Sequence, residues 1–353
     1  MQPNKIYYLA PISDGGYGAV AANTAECLIK KNEPVWVIPT SVPPQASDIP
    51  GQTRSRFVSL PALKWIIEDP EVPLVHHSYP GGFIGHGKIL MTVHETEKWP
   101  DPWVEKMQGA RGIIVPTHWQ KETLLANHDI DSPVYVVPHG INPMDSYEYH
   151  RPSKDKFRFL VLDKAADVCV KGFIEAFGDD PDVELLVKVR KHTCYFDEDQ
   201  FFTDNIKILS KDFVPQDMIT QWHYQSHCLL HPVEGAGWGL PISDSLVRGV
   251  PVIAIRQHGI TEYTEPGELC EPEYETKPFQ YEPWVPDGLA GTEWGHKHYA
   301  TVEGVAQACI DMKNNYNAWK EKTIQAGQRI RGKYTWEQSA DQWLEAVKEI
   351  IAK

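Results

Sequence analysis

Three glycines at alternate positions precede a helix-like segment in the stretch HPVEGAGWGLPISDSLVRGVPVI. They are Gly235, Gly237 and Gly239, and Pro241 follows where the first residue of a helix is expected. A glycine-rich turn at the start of a helix leaves backbone N–H groups available for a phosphate. Asp244, on that helix, could accept hydrogen bonds from the hydroxyls of a ribose. The pattern fits a nucleotide site, and it equally fits a tight turn beside a surface aspartate.

Apolar runs on both sides of this turn predict the elements that position it. The segment from His227 to Val233 predicts a buried strand, and Val250 to Ile255 predicts a second one. Between them, Ile242 to Arg248 has the pattern of a helix that Gly249 ends. Strand, turn, helix and strand in this order form half of a doubly wound parallel sheet.

The order of residues in this stretch resembles the nucleotide-sugar signature of retaining GT-B glycosyltransferases, in particular of glycosyltransferase family four. That signature is a Glu, a Gly-aromatic-Gly-Leu-Pro turn, an acidic residue on the next helix, and then small-Gly-x-Pro-Val-Ile. The matching residues are Gly237, Trp238, Gly239, Leu240, Pro241, Asp244 and residues 249–253. The resemblance implies an α/β fold of two doubly wound Rossmann-like domains facing across a cleft, with donor contacts from Gly237 to Leu240 and from Asp244.

Two positions depart from the family signature. The second acidic residue is Asp244 rather than Glu, and Ala236 stands where the first Glu is expected. Glu234 lies two residues earlier. Either the loop is longer by two residues and Glu234 contacts the sugar as a catalytic residue, or the sugar contact has been rebuilt. The identity of the donor sugar therefore stays open.

The amino-terminal part has a second strand-turn-helix pattern, with a strand from Ile6 to Pro11 and a helix from Ala19 to Lys31. The turn between them holds Gly15 and Gly16, which do not form a GxGxxG motif, so a dinucleotide fingerprint is absent. The family resemblance implies that this glycine pair faces the donor diphosphate and the acceptor. The alternative is a plain turn between a strand and a helix.

His94 ends a predicted strand that begins at Ile89. Ligand sites of doubly wound sheets lie at such strand ends. The family often has a His at this place, close to the donor sugar, so His94 is a candidate catalytic residue. The alternative is a structural histidine whose ring interacts only with neighbouring protein groups.

Basic residues of the second half are candidates for the donor diphosphate. Lys171 and Gly172 are predicted to open a helix, and the resemblance implies that Lys171 binds the diphosphate as a donor-binding and catalytic residue. The family has an Arg six residues earlier, where this chain has Ala165 beside Lys164. Lys164 is the predicted substitute, although it lacks the forked geometry of Arg. Arg190 ends another predicted strand and could also face the site.

The segment after the second strand resembles the family's Gly-Gly-x-x-Glu loop, through Gly259, Ile260 and Glu262. The resemblance implies that its backbone approaches the phosphate or the sugar. Beyond it, Pro266 to His298 is proline-rich with little periodicity, which predicts a long ordered loop with Trp294 packed on the body.

A length of 353 residues suggests two domains. We place an acceptor domain at residues 1–148, a nucleotide-sugar domain at 149–333, and a final helix at 334–353 that packs back on the first. The net charge of −14 opposes general coating of nucleic acid or an anionic membrane. The start of the sequence has no hydrophobic segment typical of a leader or anchor, and cysteines without CxxC pairs fit a reduced, cytoplasmic protein.

A metal site is not predicted. His223, His227 and His231 are spaced by four, as metal ligands on one helix can be, but His227 and His231 fall in a predicted strand. No metal and no cofactor are expected, because Lys171 and helix N–H groups can offset the phosphate charge.

Three functions remain open from the sequence. The leading one is a retaining transfer of a hexose or pentose from a nucleotide-diphosphate-sugar, UDP- or GDP-sugar being favoured, to a saccharide or other hydroxyl acceptor. The second is glycosylation of a hydroxymethylated DNA base, since some viral DNA glucosyltransferases share the GT-B architecture. The third is a non-catalytic nucleotide-sugar-binding protein, suggested by Ala236. The sequence leaves the acceptor and the oligomeric state open.

Overall fold

A computed structural model describes residues 5–12, 15–41, 60–84, 86–189, 203–210, 214–280, 289 and 293–353. The chain divides into two compact units. The first comprises Met1–Gly140, Gln280–Gly295 and Tyr334–Lys353, and the second comprises Ile141–Phe279 and His296–Lys333. The division at Gly140 lies upstream of the predicted boundary at 148/149, and the last helix belongs to the first unit.

The described strands of the first unit form a six-stranded parallel sheet in the order β2-β1-β3-β4-β5-β6. Because all neighbouring strands run parallel, their carboxyl ends meet at one edge. The elements are β1 (Ile6–Pro11), α1 (Gly16–Lys30), β2 (Val35–Ser41), α2 (Leu60–Glu68), β3 (Leu74–His77), β4 (Ile89–Met91), α3 (Asp101–Met107), β5 (Gly112–Val115), α4 (His118–Asn127) and β6 (Val134–Val136).

Five strands of the second unit form a parallel sheet in the order β11-β10-β7-β8-β9. Its core packs the apolar faces of α5 and α8 against the sheet, and includes Phe159, Phe173 and Cys309. The elements are β7 (Phe157–Leu162), α5 (Ala166–Phe177), β8 (Val183–Lys188), β9 (Ile206–Ser210), α6 (Gln216–Gln225), β10 (Cys228–Leu230), α7 (Leu240–Val247), β11 (Val252–Ile253), α8 (Val302–Asn314) and α9 (Tyr316–Lys333). Two further strands, β12 (Tyr274–Gln280) and β13 (Glu293–Ala300), belong mainly to this unit, with Gln280 and the start of β13 assigned to the first.

The final helix, α10 (Trp336–Ala352), packs within the first unit. Thr335 caps it in a capping box with Gln338, which satisfies backbone groups at its start. The Trp343 ring meets Tyr8 of β1 at a centroid distance of 5.4 Å. A Cβ on Gly112 of β5 would lie 2.6 Å from Ile350, so the helix lies tightly against the sheet.

The prediction of a long loop from Pro266 to His298 is wrong. Strands β12 and β13 pair within it as a two-stranded sheet. Trp294, His296 and His298 occupy alternate positions of β13, and the prolines of the segment concealed that alternation. Trp294 is 3% exposed and packs against Trp103 of the first unit, as expected. The predicted loops at 40–60 and 197–204 lie mostly outside the described residues.

Candidate functional site

The glycine-rich turn joins β10 to α7, as the sequence predicted. Gly239 immediately precedes α7 with φ 87° and ψ 57°, a left-handed conformation that favours glycine. The Gly259 N–H donates to Ala236 O at 3.0 Å. A Cβ on Gly259 would lie 1.9 Å from Gly237 O. Two glycine-bearing loops therefore touch through their backbones at the carboxyl edge of the second sheet.

Trp238 is buried beneath this turn. Its side chain is 2% exposed, its ring lies 4.8 Å from that of Tyr263, and its Nε1 donates to Ser243 Oγ at 3.3 Å. The Tyr263 hydroxyl donates to Gly239 O at 3.1 Å. These contacts hold the turn in shape. Because the Trp238 side chain is buried, the predicted donor contact of Trp238 is limited to its backbone.

The loop from Gly259 to Glu262 follows β11 as part of a short 3-10 turn. Ile260 is fully buried, so its side chain packs inward and the expected donor contact is limited to its backbone. His258 has φ 49° where the family motif has a glycine, and its ring stacks on His298 of β13 at 6.3 Å. Glu262 is half-buried at the end of the turn.

Glu234 lies half-buried in the loop that follows β10, whereas Ala236 is buried. Gln257 Nε2 donates to Val233 O at 2.9 Å and fixes the backbone just before Glu234. Burial, followed by the nearby Glu234 carboxylate, raises the pKa of Tyr299. Tyr299 of β13 therefore lies close to this loop. The sequence did not predict Tyr299 here, because β13 itself was missed.

Asp244 shares one buried cation with a second aspartate. Its Oδ2 lies 3.4 Å from Nη1 of Arg248, one helical turn later on α7. Arg248 Nη2 donates to Asp145 Oδ2 at 2.6 Å. The Arg248 side chain is only 3% exposed, while that of Asp244 is 18% exposed. One guanidinium thus serves two carboxylates, and its shorter contact is with Asp145.

This sharing leaves Asp244 with spare capacity as a hydrogen-bond acceptor. Burial raises the pKa of Asp244, Asp145 adds to the shift, and Arg248 opposes it. Hydrogen-bond donors at the exposed side of the carboxylate would stabilise its ionised form. Neither Arg248 nor Asp145 was predicted. The spacing of four from Asp244 to Arg248 was a readable signal, since such residues meet on a helix.

Lys164 lies exposed in the turn between β7 and α5. The turn contains two left-handed residues, Asp163 at φ 58° and Ala165 at φ 59°. Lys188 Nζ lies 2.9 Å from both carboxylate oxygens of Asp163 and braces the turn. Burial, followed by the charge of Lys164, lowers the pKa of His231 to about 3. Lys164 is therefore near the end of β10, where the glycine-rich loop begins.

Lys171 does not open a helix, which corrects the prediction. Helix α5 begins at Ala166, so Lys171 lies in its second turn, with its side chain 44% exposed. Its Nζ is 2.7 Å from Asp167 Oδ2, which directs the amino group back toward the helix start. Gly172 packs against α8, since a Cβ there would lie 2.4 Å from Val305 Cγ1. Arg190 lies outside the described residues.

His94 is enclosed at the end of β4 in the first unit. It is 3% exposed, and its Nε2 lies 2.8 Å from Lys98 O and 2.5 Å from Thr96 Oγ1. Its ring contacts Trp99 at a centroid distance of 4.4 Å. The ring is hydrogen-bonded within the protein, and the catalytic role of His94 stays a prediction.

Gly15 and Gly16 are exposed at the start of α1. Gly15 has φ 128°, which requires glycine, whereas a Cβ on Gly16 would meet nothing within 4 Å. Tyr17, the next residue, donates its hydroxyl to Val93 O at 2.8 Å and so anchors the helix start beside β4. The space above Gly16 is open at the carboxyl edge of the first sheet.

The three spaced histidines are separated by the fold. His223 lies on α6 and meets Ser245 Oγ at 2.8 Å through its Nδ1, while His227 and His231 flank β10. Within the described ranges, no group of three or more His, Cys, Asp or Glu is arranged to hold a metal ion. In the same ranges, no helix combines the length and apolar character needed to cross a bilayer.

Comparison with known proteins agrees with this architecture. Residues 14–144 match the model of Glycosyltransferase Family 4. This part of the chain is therefore similar to that family. No curated protein matches the chain as a sequence.

Solved structures with the same fold span the whole chain. Sucrose-phosphate synthase from Thermosynechococcus elongatus is 12% identical with a TM-score of 0.66, and the match covers 99% of each chain. HepE from Anabaena, solved with UDP and glucose, is 11% identical with a TM-score of 0.66, over 98% of this chain and 100% of that one. AviGT4, a glycosyltransferase of avilamycin A biosynthesis, is 16% identical with a TM-score of 0.59, over 99% and 98%.

These matches confirm the predicted doubly wound α/β fold and the GT-B resemblance. The family match over residues 14–144 agrees with the prediction of a glycosyltransferase enzyme. Most of the family-matched segment lies in the first unit, and the glycine-rich turn lies in the second.

Proposed function

We propose that this glycosyltransferase moves a sugar from a UDP- or GDP-sugar to a hydroxyl of a saccharide, with retention of the anomeric configuration and without a metal ion. The observation that carries the proposal is the close backbone approach of Gly259 to Ala236 and Gly237, at the turn that leads into the helix bearing Asp244. The complex of HepE with UDP and glucose supports this class of donor.

In this proposal the nucleotide is held by charge and by backbone groups. The exposed side of Asp244 accepts hydrogen bonds from the ribose hydroxyls, while Arg248 keeps the carboxylate in place. Lys164 and Lys171 supply positive charge for the diphosphate, and N–H groups at the start of α7 add to it. The charge on the leaving phosphate grows in the transition state, so these contacts strengthen during the reaction.

We infer retention from the resemblance to retaining GT-B enzymes. Asp163 is paired with Lys188, and Asp244 with Arg248, so we assign neither as the nucleophile of a covalent intermediate. An oxygen of the leaving diphosphate instead takes the proton of the acceptor hydroxyl. The bond from the anomeric carbon to the phosphate oxygen breaks, and the bond to the acceptor oxygen forms on the same face of the sugar.

A transfer assay tests this proposal. The protein is incubated with UDP-glucose, UDP-N-acetylglucosamine or GDP-mannose and neutral disaccharides, with and without excess EDTA. We expect release of nucleoside diphosphate, a product whose anomeric coupling in NMR matches that of the donor, and an unchanged rate with EDTA. A product with inverted anomeric configuration would contradict retention. A loss of activity with EDTA that Mg²⁺ or Mn²⁺ restores would show that the lysines do not by themselves offset the charge of the diphosphate.

A non-catalytic nucleotide-sugar-binding protein is the second candidate, because buried Ala236 replaces the family's first Glu. The Glu234→Ala variant separates the two. If Glu234 contacts the sugar, this variant weakens binding of the nucleotide-sugar by roughly tenfold, as expected for one charge-assisted hydrogen bond, and leaves free nucleotide binding unchanged. Calorimetry with UDP-glucose and UDP measures both.

The matched control for this variant is Glu275→Ala on β12, whose carboxylate pairs with Lys277 at 2.6 Å on an exposed surface. It is expected to bind both ligands like the wild type. An equal loss of both ligands in Glu234→Ala, or no loss of either, would show that Glu234 supports the loop. Binding of the nucleotide-sugar without any transfer or hydrolysis would favour the second candidate.

A further inference from the structure

Tyr79 is an exposed aromatic residue at the carboxyl edge of the first sheet. It follows β3 by two residues, and 48% of it is exposed, although β3 itself is buried. Ile84, at the other end of the same loop, is 42% exposed. Ligands of doubly wound sheets bind at the carboxyl ends of the strands. Large apolar side chains that are exposed together at this edge suggest a binding surface.

The Tyr79 ring packs against the backbone of Gly81 and Gly82, which we call the glycine turn. A Cβ on Gly81 would lie 2.8 Å from Tyr79 Cε2, and one on Gly82 would lie 2.8 Å from Cε1. Trp103 of α3 meets the ring in a T-shaped contact at 5.8 Å. The glycine turn and Trp103 therefore support one side of the ring and leave the rest open to solvent.

Hydrogen bonds hold the glycine turn in place within the protein. Gly82 N–H donates to Tyr79 O at 3.0 Å, and Lys106 Nζ donates to Gly81 O at 2.7 Å. Ile84 N–H donates to His76 Nδ1 at 3.2 Å. A ring held in this way loses little conformational entropy when a ligand stacks on it, which favours binding.

Contacts within the first unit place this ring near the glycine pair. His77, at the end of β3, contacts the ring of Tyr17 at 5.3 Å, and Tyr17 directly follows Gly16. Trp103, which supports Tyr79, also contacts His94 at 5.9 Å. Tyr79 therefore lies on the same edge as the open start of α1 and the end of β4.

We propose that Tyr79, extended by Ile84, is a stacking platform for a pyranose ring of the acceptor saccharide. This inference rests on the proposed function and deepens it. The face of a pyranose that carries several C–H groups is apolar and weakly positive, and it complements the negative face of an aromatic ring. The net charge of −14 makes an anionic membrane surface a poorer partner for the same patch.

Saturation-transfer NMR with methyl α-glucoside, maltose, cellobiose and sucrose, in the presence of UDP, tests this platform. The wild type is expected to transfer saturation to C–H protons of at least one of these sugars. Tyr79→Ala should weaken that binding by about tenfold, whereas Tyr79→Phe and Tyr79→Trp should retain it. Tyr149→Ala, which removes a tyrosine that is 59% exposed in the second unit, should bind like the wild type.

Three results would overturn the platform: no transfer to any sugar in the wild type, equal transfer in Tyr79→Ala, or loss of sedimentation with phosphatidylglycerol vesicles in Tyr79→Ala alone. UDP affinity of each variant, measured by calorimetry, is expected to be unchanged. Failure of the wild type to bind UDP would instead contradict the donor site of the second unit. The two proposals can therefore fail separately.

Discussion

Asp244→Ala is expected to weaken binding of UDP or GDP by about tenfold to a hundredfold. A charge-assisted hydrogen bond contributes about 1.5–3 kcal/mol, and the ribose hydroxyls would lose their acceptor in this variant. Arg248 keeps its 2.6 Å contact with Asp145, so the buried cation remains paired and the fold should persist. Isothermal titration calorimetry with each nucleoside diphosphate measures the effect.

Asp180→Ala is the matched control for that variant. Its carboxylate contacts Lys313 at 3.3 Å, close to the 3.4 Å between Asp244 and Arg248, but it lies after α5 and away from the glycine-rich turn. The control should bind nucleotide like the wild type. If Asp244→Ala binds UDP and GDP as tightly as the wild type, Asp244 does not accept hydrogen bonds from the ribose.

The pH dependence gives an independent readout of the same residue. Burial raises the pKa of Asp244, and hydroxyl donors bind best to its ionised form. Nucleotide affinity should therefore be full above this raised pKa and fall as the pH drops through it. Asp244→Asn should bind more weakly and lose most of this dependence.

Replacing both Lys164 and Lys171 by alanine is expected to lower kcat/KM by a hundredfold or more. Each charged contact to the diphosphate contributes about 1.5–3 kcal/mol. The charge on the phosphate grows as it leaves, so kcat should fall together with affinity. Steady-state kinetics of the two single variants and of the double variant measure this, with nucleotide affinity measured separately.

Lys30→Ala controls for the loss of a surface charge. Lys30 pairs with Glu26 at 2.7 Å across one helical turn, the same spacing and distance as the pair of Lys171 and Asp167. We expect unchanged kinetics in this control. If both single lysine variants also keep wild-type kcat and nucleotide affinity, the diphosphate is held elsewhere.

The glycine-rich turn could be predicted because its signals are local. Gly239 meets a backbone requirement that few other residues satisfy, and Pro241 suits the first turn of a helix. Apolar strands on either side are short, continuous runs, so their order was readable without knowledge of tertiary contacts. The same holds for the sheet of the first unit, where buried strands alternate with helices.

Features that depend on contacts between residues far apart in the sequence could not be predicted from the sequence. The start of α5 was missed because Ala165 begins the helix from a left-handed conformation, braced by Asp163 and Lys188 from another strand. The role of His94 depends on its enclosure by Trp99 and by the loop around Lys98. Asp145 meets Arg248 from far away in the sequence, so no spacing could have indicated their contact.

The most direct test of the donor site is a thermal melting titration of the wild type with UDP, GDP and ADP. A ligand that binds only the folded protein stabilises it by about 2.7 kcal/mol at a hundred times its Kd. Such stabilisation raises the melting temperature by several degrees. We predict a saturable rise with UDP or GDP. No rise with any of the three nucleotides would contradict the assignment of Asp244, Lys164 and the glycine loops as a nucleotide-sugar site.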